Sequence, residues 1–322
     1  MTQVASHEAA DERTSGSASM RGYVLALVAG ALLVLAGLGT TLAVLSARGT
    51  LPPPQFSNSL CMDEKLRAMR DSPPQDPDLL VVGSSVAWRH FNSPAAAAAQ
   101  PGLRPYNAGL CGASIAQTEV VVDWLADRLS SVERILLIAS PRDFENCGGD
   151  QPSRFDVAAV DRYVFQGAWP LRYYLRYFDP PTFARNVRAV RENRGNLQTF
   201  DALVFNEFGD GPIEPPQDRG LLYGDVTIDP VCYSALRRIA VGLDERDVQF
   251  DVAMTPLHPE WLRTFDGDGK TTGAIDSGIR EASAGTGASL LRADPQLGPA
   301  AFFDAIHIRW SQTDEFTRAL LD

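Results

Sequence analysis

Apolar positions along the chain follow two patterns. Between Arg21 and Arg48 the stretch GYVLALVAGALLVLAGLGTTLAVLSA, residues 22–47, runs 26 residues without a charge. As a helix rising about 1.5 Å per residue it spans roughly 39 Å, enough to cross a bilayer. Apolar residues cover every face, leaving no polar stripe of the kind kept by a helix packed on a soluble core. A cleaved signal peptide has a shorter apolar stretch and small residues before its cleavage site, and neither stands out here. The pattern predicts an uncleaved transmembrane anchor.

Beyond it the apolar residues come in short runs between breakers. TLPPPQ (50–55) is a stiff spacer and SPPQDP (72–77) a second break, with a helix expected over 61–70 between them. Runs at 78–82, 104–106, 134–139, 250–255 and 289–292 predict strands, and 115–129, 233–243 and 312–321 predict helices. Strand and helix alternate, which points to a parallel sheet covered on both faces. The expected fold is a three-layer α/β/α domain with a flavodoxin-like sheet of about five strands, preceded by one transmembrane helix. The expected organisation is a short cytoplasmic tail over 1–21, the anchor over 22–47, a spacer and leading helix over 48–77, and the α/β domain over 78–322. Residues 148–230 break the alternation, with a helix expected at 182–192 and the Gly/Pro-rich stretch GDGPIEPPQDRG, and read as an insertion between the third and fourth strands. Its Trp169, Tyr173, Tyr174 and Tyr177 suit core packing on a helix, the lining of a substrate cleft, or docking on a partner.

Charge narrows the partners. With 29 basic and 40 acidic residues the net charge is −11, so a phosphate backbone is repelled and no nucleic-acid partner is expected. Arg13 and Arg21 before the apolar span are balanced by Arg48, Lys65 and Arg67 after it, so the positive-inside count does not orient it. The short polar tail and long carboxy-terminal domain favour the tail inside and the domain outside the cytoplasm. Cys61, Cys111, Cys147 and Cys232 have neither CxxC spacing nor histidines at zinc-ligand intervals, so neither metal nor cofactor is expected. Four cysteines outside the cytoplasm suit two disulfides, against the alternative of four buried thiols. If the loops after the second and third strands emerge at one sheet edge, the pairs are Cys111–Cys147 and Cys61–Cys232.

Two short stretches carry candidate chemistry. DLLVVGSS ends an apolar run on Gly-Ser-Ser, delivering Ser84 and Ser85 to the carboxy-terminal edge of the sheet, where parallel α/β folds bind ligands. A serine there either exposes its hydroxyl or caps the next helix. FFDAIHIRW sets Asp304 three residues before His307, a spacing at which the carboxylate holds Nδ1–H and leaves Nε2 as a base. Of the other histidines, His7, His90 and His258, none has an acidic neighbour so placed.

At these residues the chain resembles the SGNH hydrolase (GDSL-like) superfamily. VVGSS resembles its first block, with Ser85 at the nucleophile; NAGLCG, 107–112, its second; and DAIH its last. The third block departs from the family: register puts Ser140, Pro141, Arg142 and Asp143 where Gly-x-Asn-Asp is usual. The resemblance implies a Ser85–His307–Asp304 triad, with an oxyanion hole from the backbone N–H groups of Ser85 and Gly112. Arg142 is either a third donor, or a grip on a substrate carboxylate, or one side of a structural ion pair. The activity implied is that of a membrane-anchored esterase or acyl hydrolase acting on O-acyl groups of cell-envelope glycans. A glycan O-acetyltransferase, or a non-catalytic glycan-binding or assembly protein of the same fold, stands beside it. The partners implied are the glycan or acyl-ester substrate, the membrane and envelope-assembly proteins.

Overall fold

Five apolar runs become five parallel strands because their side chains alternate between two cores; the last, over 289–291, is only partly buried. In a computed structural model, residues 5–149, 154–293, 295 and 297–321 are described, the side chains from residue 20 onward. The first four residues of the expected tail, the His7 side chain and Asp322 lie outside the described residues.

The chain divides into two units, Met1–Leu51 and Pro52–Asp322. The first is one helix, α1 (Ala5–Ala47), closed by Gly49 in the left-handed region at φ 67°. Within it Met20–Ala47 has a mean hydropathy of 2.2 and is long and apolar enough to cross a membrane.

In the second unit, in chain order, come α2 (Leu60–Asp71), β1 (Leu79–Gly83), α3 (Ser85–His90), α4 (Ser93–Ala99), β2 (Pro105–Asn107), α5 (Ile115–Arg128) and β3 (Arg134–Ala139). The insertion supplies α6 (Val157–Val164), α7 (Leu171–Arg176) and α8 (Pro180–Asn193). Then follow α9 (Val231–Asp244), β4 (Gln249–Met254), α10 (Pro259–Phe265), α11 (Lys270–Ser283), β5 (Ser289–Leu291) and α12 (Thr313–Ala319). The sheet order is β2-β1-β3-β4-β5, all parallel, with Val81 opposite Asn107 and Gly83 opposite Ile138.

The two-residue period divides the core. Leu80, Val82, Ile135, Leu137 and Phe250 pack with Leu66 of α2, Leu125 of α5, Ile239 of α9 and Ile279 of α11. Leu79, Val81, Leu136, Ile138 and Ala253 face the opposite layer, with Ala96 of α4, Trp261 of α10 and Phe316 of α12. Within the insertion Tyr173 and Tyr174 are buried, and the rings of Tyr173 and Tyr177 lie 5.0 and 5.5 Å from Phe56, so these tyrosines build core. Trp169 remains 69% exposed.

The sheet turns into the site at Gly83. Its φ of 134° is one that side-chain-bearing residues rarely adopt, and a Cβ there would run into the Ile138 carbonyl of β3. Gly83→Ala therefore combines backbone strain with a backbone clash, and the expected cost is roughly 3 kcal/mol or more. Urea unfolding checks this; a loss under about 0.5 kcal/mol would show that the strand end is free to relax.

Candidate active site

The turn after Gly83 gives the two serines opposite tasks. Ser84 is the N-cap of α3 and points inward: its hydroxyl accepts from Val86 N–H at 3.4 Å and donates to Asp143 Oδ2 at 2.8 Å. Asp143 also accepts from the backbone N–H of Ser140 at 2.8 Å. Burial pushes its carboxyl up to about 7 against those hydrogen bonds. Ser85, half-buried, turns the other way, and its Oγ lies 2.9 Å from His307 Nε2.

His307 reaches Ser85 from the segment before α12. Its Nδ1 faces both oxygens of Asp304, at 3.0 and 2.9 Å, so Nδ1 carries the proton and Nε2 is left to accept from Ser85. Asp304 is itself held by the backbone N–H groups of Ile306 at 2.9 Å and His307 at 2.8 Å. Burial works against its charge, but His307 and these donors outweigh burial and hold the carboxyl below its ordinary value. The Phe303 ring stacks on the imidazole at 5.5 Å, and His90 meets it edge-on at 5.7 Å. His90 accepts from Ile308 N–H through Nε2 and meets Thr255 Oγ1 through Nδ1. Burial, then the neighbouring His307 and Arg89, hold His90 well below its ordinary value, so it is neutral and fixes the segment that carries His307.

Asn107 shapes the loop that brings up Gly112. Its Oδ1 accepts from Gly109 N–H at 3.0 Å, while its Nδ2 donates to the Ala87 carbonyl at 2.9 Å and to Asp210 at 3.1 Å. Beneath it the fully buried Lys65 donates to the carbonyls of Asn107 and Gly209, so α2 and the insertion hold the same loop. Among the described residues the backbone N–H groups of Ser85 and Gly112 donate no hydrogen bond.

Ser85, Gly112, Asp304 and His307 share one cleft of about 410 Å³. The insertion builds its far wall, including Asn193, Phe200, Asp201, Arg219 and Tyr223. A second cavity of about 260 Å³ also reaches Ser85, Gly112 and Tyr223, and Arg142 lines it. The Arg142 guanidinium pairs with Glu145 at 3.2 Å and lies 5.4 Å from the centre of the Tyr223 ring. Arg142 thus shares the Ser85 cavity while its guanidinium is engaged by Glu145. Tyr223 and Arg89 carried no sequence signal: one lies in an irregular Gly/Pro-rich stretch, the other on a helix too short for periodicity.

The disulfides differ from the expected pairs Cys111–Cys147 and Cys61–Cys232. The bridges are Cys61–Cys111, with Cα atoms 6.1 Å apart, and Cys147–Cys232, with Cα atoms 5.1 Å apart. The reason is strand order: β2 and β3 flank β1, so the loops after them start two strand spacings, roughly 9.5 Å, apart. A disulfide reaches Cα atoms no more than about 6.8 Å apart. Cys111 meets the first turn of α2 instead, and Cys147 the first turn of α9. Cys61 and Cys111 both line the larger cleft, next to Gly112. The bridge closes 50 residues of chain, so Cys61→Ser with Cys111→Ser should cost about 2–4 kcal/mol. Thermal unfolding of the double variant checks this, and an unchanged midpoint would count against the pairing.

The chain matches no protein-family model and no curated protein sequence.

Proposed function

We propose that this chain is a membrane-anchored serine esterase or acyl hydrolase of the SGNH type, acting on O-acyl groups of cell-envelope glycans outside the cytoplasm. The observation that carries the reading is the unbroken hydrogen-bond chain Ser85–His307–Asp304 opening into a cleft. Ser85 Oγ attacks the ester carbonyl carbon as its proton passes to His307 Nε2, and Asp304 stabilises the imidazolium. The negative charge developing on the carbonyl oxygen is met by the unengaged N–H groups of Ser85 and Gly112. Collapse breaks the ester C–O bond, and the departing alcohol takes the proton from His307. Water then attacks the acyl-serine with His307 again as base, releasing the acid.

A second reading, O-acyl transfer to a sugar hydroxyl, is favoured by the two cavities that meet at Ser85, since a donor and an acceptor each need a seat. The anchor rests on Met20–Ala47, and the outward placement of the domain on the two disulfides. The test is labelling of the folded protein by a fluorophosphonate, with hydrolysis of 4-nitrophenyl acetate. Acetyl transfer to an oligosaccharide separates the two enzymatic readings. Absence of both labelling and hydrolysis would leave the non-catalytic glycan-binding reading in their place.

A further inference from the structure

The larger cleft holds cationic groups that the triad does not use. Arg89, at the end of α3, lines it and is only 5% exposed. Its Nη2 donates to the Ala202 carbonyl at 3.0 Å and its guanidinium lies 3.9 Å from the centre of the Trp88 ring, but its Nη1 has no hydrogen-bond partner. Arg219 enters from the insertion, exposed, with its guanidinium 4.9 Å from the centre of the Phe200 ring. Among the described residues neither arginine forms an ion pair, although the chain as a whole carries a net charge of −11. Two carboxylates line the same cleft: Asp304 is committed to His307, and Asp201 is exposed and makes no hydrogen bond with either guanidinium.

Buried charges in folded proteins are paired, because desolvating an unpaired ion is costly. An arginine seated on an aromatic ring beside a cleft, with a buried N–H that no protein group accepts, has hydrogen-bonding capacity left for a planar anion. Burial works against the Arg89 charge, and Asp201 and Asp304 oppose that effect from a distance.

We infer that this cleft binds a carboxylate carried by the substrate, through Arg89 with Arg219 beside it. The inference rests on the esterase reading for where the ester sits, but not for the binding itself. The carboxylate has two possible sources: the acyl group, as in a succinyl hemiester, or the alcohol, as in an acylated uronic acid. The half-buried rings of Phe200 and Tyr223 at the cleft walls suit the face of a sugar as well as a short acyl chain.

The experiment pairs charged with neutral esters of like size. For the acyl source, 4-nitrophenyl hemisuccinate is compared with 4-nitrophenyl butyrate; for the alcohol source, an O-acetylated methyl glucuronoside with the corresponding glucoside. A preference of about ten- to a hundredfold in kcat/KM within one pair is expected, the range of a charge-assisted hydrogen bond. That ratio should fall toward one in Arg219→Gln and in Arg89→Gln. Because Arg89 is buried and its variant can misfold, exposed Arg219 keeps the test decisive. No preference in either pair, or a preference unchanged in Arg219→Gln and in folded Arg89→Gln, overturns the inference. A binding measurement separates it from the esterase reading: Ser85→Ala protein is titrated with an oligoglucuronate and with a neutral oligoglucoside. Selective binding of the acidic sugar, lost in Arg219→Gln, supports an alcohol-side carboxylate even if no ester is turned over. Equal binding of the two sugars, with no hemisuccinate preference, overturns it even if the triad is active.

Discussion

Ser85→Ala should abolish fluorophosphonate labelling and lower kcat/KM for a small ester by about 10⁴-fold or more, whereas Ser84→Ala should keep most of both. The two hydroxyls are one residue apart, yet only that of Ser85 meets an imidazole nitrogen, at 2.9 Å. The hydroxyl of Ser84 is spent on Asp143. Its removal leaves a buried carboxyl with one donor fewer, which should cost about 1–3 kcal/mol of stability. The pair of variants thus divides activity from stability across one peptide bond. Labelling that survives Ser85→Ala, or a Ser84→Ala protein that folds normally but no longer reacts, would reverse the assignment of the two serines.

The sheet was legible because burial on both faces writes itself as an apolar run. Strand β3 lies at the expected residues, 134–139, and the others are displaced by one residue or shortened by one. Helix α11 was not legible: KTTGAIDSGIREAS contains two glycines and several hydroxyl residues, and it is helical because Ile275, Ile279 and Ala282 pack into the core. Ser85, Asp304 and His307, which the fold brings into hydrogen-bond contact, stood out in the sequence because each sits in a short local motif: a strand end, or a carboxylate and an imidazole three residues apart. What no local motif encodes is the proximity of distant segments. The disulfide pairs follow from β1 lying between β2 and β3, and that order is a property of the whole sheet. The cleft wall is likewise built from the insertion, where Phe200, Asp201, Arg219 and Tyr223 lie in irregular chain without periodicity. Arg142 shows the same limit. Its position just after the third strand was readable, but its pairing with Glu145 depends on the turn of the short 3₁₀ segment Pro141–Phe144.

Asp304→Asn should lower kcat by about 10⁴-fold with little change in fold. The asparagine keeps an oxygen for the backbone N–H groups of Ile306 and His307, so the turn that presents the histidine survives. Its amide N–H, however, now faces His307 Nδ1, which must accept rather than donate. The ring proton then moves to Nε2 and points at Ser85 Oγ, so the base has lost its lone pair where it is needed. The same substitution has a signature in stability. The Asp304 carboxyl is held below its ordinary value by His307 and the backbone donors despite burial. As pH falls, the unfolded chain therefore binds this proton before the folded one does. The contribution of Asp304 is complete above the ordinary carboxylate value and is lost as pH falls through the lower folded one. The gap in melting temperature between the parent protein and Asp304→Asn should accordingly close in acid and stay constant near neutrality. A variant that retains kcat within about tenfold of the parent would mean that Asp304 does not set the tautomer of His307, since a neutral amide cannot perform that task.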